Sequence, residues 1–304
     1  MSDAFAPCEI CGADAWREIY RGAVRDGVFG HHRDDAPVAR CGGCGADRLA
    51  EAFCPDEAFY ETAAYRQKLQ EEVTAAGHYA TVDHLQVFTQ RVLWPDSLRG
   101  KTVIDVGSAG GSFLDHVSGL AARCVAVEPC SVYHPSLRAR DYEVFPYCSD
   151  AEATLAGQGD LAVSIQVIEH VKNPRVFLEA IRPLLAPGGR LVISSPNRDD
   201  ILMELLPAEF PAQFYRVVHR WYFDAAALAE CARRAGFDVA ETRFVHRYGM
   251  ANALAWLRDR RPTGRARMAA ITPLADDLWS SYLEQAGRAD CLYMVLTPTV
   301  DAAS

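Results

Sequence analysis

The chain has 304 residues, half of them hydrophobic and 23% charged, so it is an ordinary globular protein with room for one large core or several modules. A formal net charge of −9 argues against a general nucleic-acid binder, which needs excess Lys and Arg to displace phosphate counterions. The opening MSDAFAPCEICG lacks an apolar signal core and no apolar run approaches membrane-spanning length, so a cytoplasmic location is expected.

Two CxxC knuckles come first, Cys8 to Cys11 and Cys41 to Cys44, each followed by a glycine, Gly12 and Gly45. A tight turn that aims two thiolates inward needs glycine there, because it tolerates positive φ. Knuckles about 30 residues apart suit a tetrahedral four-thiolate site, the usual form of structural zinc, and define a module over residues 1–55. With four protein ligands the metal has no open position, so its expected job is to staple a segment with little core of its own. Disulfides are disfavoured in a reducing compartment. Cys54 and the pair His31 and His32 are substitute ligands without a knuckle of their own. Cys124, Cys130, Cys148, Cys231 and Cys291 read as small buried hydrophobes.

Residues 56–95 read as a helical linker, with apolar and aromatic residues at spacings of three and four and Pro95 ending the run. From residue 96 the pattern alternates strand and helix. KTVIDVG, CVAVEP, LAVSIQVIEHV and RLVISSPN read as strands, with helices such as FLDHVSGLA and PRVFLEAIRPLL between them. Continuous Val/Ile/Leu strands separated by helices imply a parallel α/β sheet covered on both faces, with the ligand beyond the C-terminal strand ends. ETRFVHRY and CLYMVLTPT supply two more strands around an insertion near 249–285, which carries Arg258, Arg260, Arg261, Arg265 and Arg267. Arginine forks suit phosphate or carboxylate, so this stretch, with Arg216 and Arg220, serves an anionic acceptor or else an exposed face or oligomer contact.

The stretch IDVGSAGGSF, Ile104 to Phe113, decides which nucleotide is held. A dinucleotide loop starting at Gly107 would need glycine at Ala109 and Ser112, and no GK[ST] is present for a triphosphate. What remains is Asp105 ahead of a small-residue turn through Gly107, Ser108, Ala109, Gly110 and Gly111, with a second acid, Glu128, 23 residues later. A carboxylate there can accept hydrogen bonds from both ribose hydroxyls.

These residues resemble the first motif of class I S-adenosylmethionine-dependent methyltransferases, D-x-G-x-G-x-G, with Ala109 in place of the middle glycine. The resemblance extends over about residues 96–245. It takes in Tyr147-Cys148-Ser149-Asp150, the run from Asp160 through Gln166 to Glu169-His170-Val171, PLLAPGGRLVISSPN, and HRWYFD followed by LAECARRAGFDV. It implies a Rossmann-like, doubly wound, mostly parallel seven-stranded sheet with an antiparallel last strand, over residues 96–304. It further implies that Asp105, Gly107, Ser108 and Gly110 hold the methionine end, that Glu128 with Pro129 binds the ribose, and that Ser149 and Asp150 meet the adenine. Gln166 would line the methionyl moiety. Asp105 organising the loop, Asp150 capping a helix and Glu169-His170 as a structural pair are the structural alternatives. The helix before the first strand often covers the cofactor in this family, which makes Tyr60, Tyr65 and Arg66 candidate lid residues, with plain packing as the alternative.

Methyl transfer to oxygen or carbon needs a base. His219, after the fifth strand, is the leading candidate for it, followed by Tyr222, His170 and His246. A four-cysteine zinc head joined to this domain is similar to methyltransferases of polysaccharide, deoxysugar and small-molecule biosynthesis. The expected acceptor is a sugar, possibly nucleotide-linked, or a secondary metabolite, with O-transfer ahead of C-transfer. An RNA base methyltransferase with a zinc head, or a non-catalytic S-adenosylmethionine-binding subunit, are the other readings.

Overall fold

The computed structural model describes residues 5–93, 98–262 and 266–299; Pro95 and Arg265 lie outside the described residues. The strands, in chain order, begin with β1 (Trp16–Arg25), β2 (His32–Cys41) and β3 (Asp47–Leu49). They continue with β4 (Thr102–Val106), β5 (Arg123–Val127), β6 (Glu143–Phe145), β7 (Gly159–Ile165) and β8 (Leu185–Pro196). The last are β9 (Trp221–Tyr222), β10 (Phe237–Val245) and β11 (Cys291–Pro298).

The chain forms two compact units. One comprises residues 1–54, 195–228 and 242–293; the other comprises 55–194, 229–241 and the chain from Met294. The first unit is discontinuous in sequence, and the reason lies in its pairing. Its four-stranded sheet runs β1-β2-β3-β9, antiparallel throughout, so the cysteine-bearing hairpin takes its last strand from the far end of the sequence. Asp47 pairs with Tyr222 and Arg48 with Trp221. Val24, Val38 and Leu49 from the N-terminal strands share one core with Tyr215, Val217 and Tyr222, which is how a short cysteine-rich segment acquires buried apolar surface. Arg48 is buried over the Trp221 ring at 5.4 Å and bonds Glu9 and Glu51, each at 2.7 Å. After β10 come the helices Met250–Asp259 and Pro273–Gln285.

In the second unit the expected helical linker is broken into four short helices, α1 (Ala58–Glu61), α2 (Ala64–Lys68), α3 (Ala75–Val82) and α4 (Gln86–Leu93). The breaks have local causes. Thr62 leaves α1 in an extended conformation, and Thr74 starts α3 by accepting from the Gly77 N–H at 2.9 Å. The large sheet has seven strands in the order β10-β11-β8-β7-β4-β5-β6, mostly parallel with one antiparallel strand, as expected. β4 to β8 all pair in parallel. Chain order runs outward from β4 through β5 to β6 and then returns to β7 on the other side of β4. The switch point therefore lies between β4 and β7, the place beyond the strand ends where doubly wound sheets bind their ligands. Among the described residues no helix is long and apolar enough to cross a membrane.

Candidate active site and metal centre

The loop after β4 is shaped by backbone conformations that few side chains accept. Gly107 and Gly111 have φ of 82° and 83°, and Ala109 has φ of 44°. A methyl group on Gly107 would lie 2.5 Å from Val167, and one on Gly110 would lie 2.8 Å from the His78 ring. Gly107 is therefore fixed by conformation and close approach together, and Gly110 by close approach. Across the switch point, Gln166 also has a positive φ, 57°, and its N–H donates to Ser194 Oγ at 3.1 Å. Two non-glycine residues held in left-handed conformations at the ends of adjacent strands form a local store of strain of the kind that clusters at ligand sites.

Glu128, just past β5, is buried and clamps this loop. One carboxylate oxygen accepts from the Ala109 N–H at 2.7 Å and the other from the Cys130 N–H at 2.8 Å. His134 bonds the Glu128 carbonyl at 2.7 Å. Each carboxylate oxygen keeps a further lone pair for a donor. Burial raises the Glu128 carboxyl, while the Cys130 and Ala109 amides and the Arg66 charge hold it back. Asp105, enclosed within β4, is pushed up to about 8 by burial first and by the Glu128 charge second.

Ser108 Oγ, the Tyr133 hydroxyl and His78 Nδ1 are buried polar atoms of this unit with no hydrogen-bond partner among the described residues. Such atoms are costly unless a ligand or water meets them. His78 comes from α3 and was not singled out in the sequence, since a lone histidine in a helical run carries no signal for a loop about thirty residues away. Its ring lies 6.1 Å from that of Tyr133. Tyr79, beside it, donates to the Gly110 carbonyl at 3.0 Å, and Arg140 donates to the same oxygen at 2.7 Å.

The expected lid residues meet a strand-end histidine. The rings of Tyr60 and Tyr65 each stand 5.4 Å from that of His170, edge-on, and Arg66 covers Tyr65 at 5.0 Å while pairing with Glu71. Ser149 and Asp150 are exposed at the start of helix Cys148–Leu155. The Asp150 carboxylate accepts from the Tyr147 N–H at 3.2 Å, a capping contact. Pro129 is half-buried beside Glu128.

In the first unit, His219 is buried, with Nε2 3.3 Å from the Arg216 guanidinium. Arginine can only donate, so in this geometry Nε2 accepts and Nδ1 carries the proton. The Tyr222 hydroxyl is occupied by the Arg216 backbone, accepting from its N–H at 2.7 Å and donating to its carbonyl at 3.1 Å. Burial pushes that hydroxyl well above its ordinary value, so it is a packed structural group here and a poor proton acceptor. His246 stands 3.3 Å from Asp290, which also holds Arg247.

The four knuckle cysteines converge as expected. Cys8 and Cys44 sulfurs are 3.6 Å apart, Cys11 and Cys41 are 3.4 Å apart, and all four lie within 4.8 Å of one another. Tetrahedral Zn–S bonds of about 2.3 Å would set sulfurs roughly 3.8 Å apart, so the set fits such an ion. Each knuckle closes in the same way: Gly12 N–H to Cys8 carbonyl at 2.7 Å, and Gly45 N–H to Cys41 carbonyl at 3.0 Å. Both glycines have positive φ, 77° and 76°. The Gly43 N–H points at the Cys41 sulfur at 3.3 Å. Cys54 bonds backbone carbonyls instead, and His31 and His32 are exposed.

Residues 76–242 match the family model described as Methyltransferase domain. A ubiquinone biosynthesis O-methyltransferase of Cereibacter sphaeroides is 27% identical over 210 residues, covering 64% of this chain and 83% of that one. One from Thiobacillus denitrificans is 29% identical over 168 residues, covering 50% and 72%. Among solved structures, a Haloferax volcanii methyltransferase in complex with the Trm112 methyltransferase activator aligns with a TM-score of 0.51 and 18% identity. That alignment covers 74% of this chain and 96% of that one. An S-adenosylmethionine-dependent methyltransferase of Archaeoglobus fulgidus aligns at 0.50 and 13% identity, covering 71% and 94%.

The raised Asp105 carboxyl has a consequence for stability. A folded value above the unfolded one means its contribution is fully present below the ordinary carboxylate range and is lost as pH rises through about 8. The ligand-free protein is expected to lose stability over that interval, and Asp105→Asn is expected to flatten the loss. Urea titrations at acidic and mildly alkaline pH check this; parallel curves for both proteins would count against a buried, protonated Asp105. The conformations, buried polar groups and family match together carry one conclusion: the chain belongs to the methyltransferase domain family and is an S-adenosylmethionine-dependent methyltransferase.

Proposed function

We propose that the protein transfers a methyl group to an oxygen of a small molecule, a sugar or secondary metabolite, in carbohydrate or natural-product biosynthesis. The observation that carries the cofactor half is the set of buried partnerless atoms, Ser108 Oγ, Tyr133 hydroxyl and His78 Nδ1, around the Glu128-clamped loop. Bound there, S-adenosylmethionine supplies an electrophilic methyl group on a sulfonium. Glu128, next to Pro129, accepts from the ribose hydroxyls with its remaining lone pairs. Asp105, Gly107, Ser108 and Gly110 shape the methionine end, and His78 is added to them from α3. Gln166 lines the methionyl group, and Ser149 and Asp150 border the adenine. Tyr60 and Tyr65 exclude water over His170. O-transfer is supported by the relatives named above, which are O-methyltransferases by name.

His219 is the proposed base: an oxygen nucleophile must lose a proton, and Nε2, once the acceptor displaces the Arg216 guanidinium from it, is the imidazole atom that takes it. With labelled cofactor, a mass-spectrometric screen of sugar-nucleotide, phenolic and RNA acceptors should label a small molecule; label in RNA alone would overturn the reading. On that acceptor, His219→Ala is expected to lower turnover by about 10²-fold or more while cofactor affinity stays unchanged. Equal turnover would remove His219 from the role.

The four thiolates are proposed to hold one structural zinc. Purified protein should carry about one zinc ion per chain, and Cys11→Ser should lower both zinc content and melting temperature. A metal-free protein of unchanged melting temperature would contradict this.

A further inference from the structure

The arginines expected to meet an anionic acceptor were those of the insertion together with Arg216 and Arg220, but Arg258 and Arg260 of the insertion are spent at the surface. Arg258 pairs with neighbouring Asp259 at 2.6 Å and Arg260 with Glu209 at 3.6 Å, with side chains 66% and 60% exposed. A different pair in the same unit has no such partners. Arg25, the last residue of β1, forms a parallel bridge with Arg216; the Arg25 N–H donates to the Tyr215 carbonyl and the Val217 N–H to the Arg25 carbonyl, each at 2.9 Å. On its other side, Arg25 pairs with His32 across the hairpin.

Bridge partners project from the same face of a ladder, so the Arg25 and Arg216 side chains, with that of His32 beside Arg25, leave the backbone on one face. Like charges directly opposite one another are destabilising unless something neutralises them. Arg25 is buried, its Nε has no hydrogen-bond partner among the described residues, and its guanidinium is capped by the Phe29 ring at 4.6 Å. Arg216 is half-buried, and its guanidinium reaches His219 rather than a carboxylate. Neither arginine has an ion-pair partner among the described residues. Arg247, whose charge reaches Arg216, is already held by Asp290 at 2.6 Å. Consistent with a missing counter-ion, burial pulls Arg216 down to about 10; the nearby Tyr222 and Tyr248 hydroxyls oppose this and Arg247 adds to it.

We propose that Arg25 and Arg216 form a binding site for a phosphoryl group, a phosphate ester or diphosphate, carried by the methyl acceptor. Two guanidiniums rising from one face can offer planar forks to oxygens of one phosphoryl or diphosphate group, and a dianion cancels both charges where a carboxylate would leave one. A buried, partnerless arginine also has little reason to be tolerated in a fold without a ligand to meet it. The site rests on the small-molecule methyltransferase reading and narrows its acceptor to phosphorylated or nucleotide-linked compounds.

Inorganic pyrophosphate is the probe, titrated by calorimetry into the full chain at low ionic strength, with acetate at matched ionic strength as comparison. Wild type should bind pyrophosphate and not acetate. Arg25→Gln and Arg216→Gln should each weaken binding by about tenfold or more, while Arg258→Gln should stay within about twofold. Arg25→Lys and Arg216→Lys, which keep the charge and spare the fold, should fall between the two. No pyrophosphate binding by wild type, equal binding of acetate, or unchanged affinity in the Gln and Lys variants would overturn the site. S-adenosylhomocysteine titrated into the same samples separates the claims. Its binding without pyrophosphate binding removes only the anion site, whereas its failure to bind wild type removes the cofactor reading beneath it.

Discussion

The shape of the loop after β4 depends on one buried carboxylate. Glu128 binds the amides of Ala109 and Cys130, tying the end of β5 to the turn that follows β4. That clamp holds Ala109 in its left-handed conformation, which costs an alanine roughly 1–2 kcal/mol. A buried carboxylate accepting amide hydrogen bonds can meet that cost, because charge-assisted bonds are about twice as strong as neutral ones. Behind the loop, burial first and the Glu128 charge second raise the Asp105 carboxyl. Loop shape, strain and electrostatics are therefore one problem with one solution, placed at the switch point between β4 and β7.

Much of this was legible in the sequence. Strand runs rich in Val and Ile located β4, β5, β7 and β8, and the glycine loop named the donor because Ala109 and Ser112 break a dinucleotide pattern. Ala109 proved to be more than a tolerated change, since it adopts the backbone conformation a glycine would take with ease. The cysteine spacing located a four-sulfur cluster, and the glycine after each knuckle occupies the positive φ it was expected to need.

The features that escaped are those made by distant pairing. β9 has only two residues, Trp221 and Tyr222, and no periodicity marks it; it exists because β3 offers an edge and because Tyr222 completes the core of the hairpin. That pairing is why the cysteine-bearing segment clusters with residues from the C-terminal third. His78 and Arg25 were missed for the same reason, since their meaning comes from Gly110 and Arg216, far away in sequence. The helical linker was read as continuous because propensity says little about where short helices break. Two of its aromatic residues, Tyr60 and Tyr65, gather around His170, a contact that no spacing in the sequence marks.

The central claim is that the Glu128-clamped loop holds the methyl donor, and calorimetric titration of S-adenosylhomocysteine into wild type and Glu128→Ala tests it most directly. Loss of a hydrogen-bonding carboxylate should weaken binding by about tenfold or more, with the melting temperature of the variant recorded alongside to separate affinity from folding. Equal affinity in a folded variant would contradict the assignment of the ribose to Glu128 and, with it, the placement of the donor at this loop.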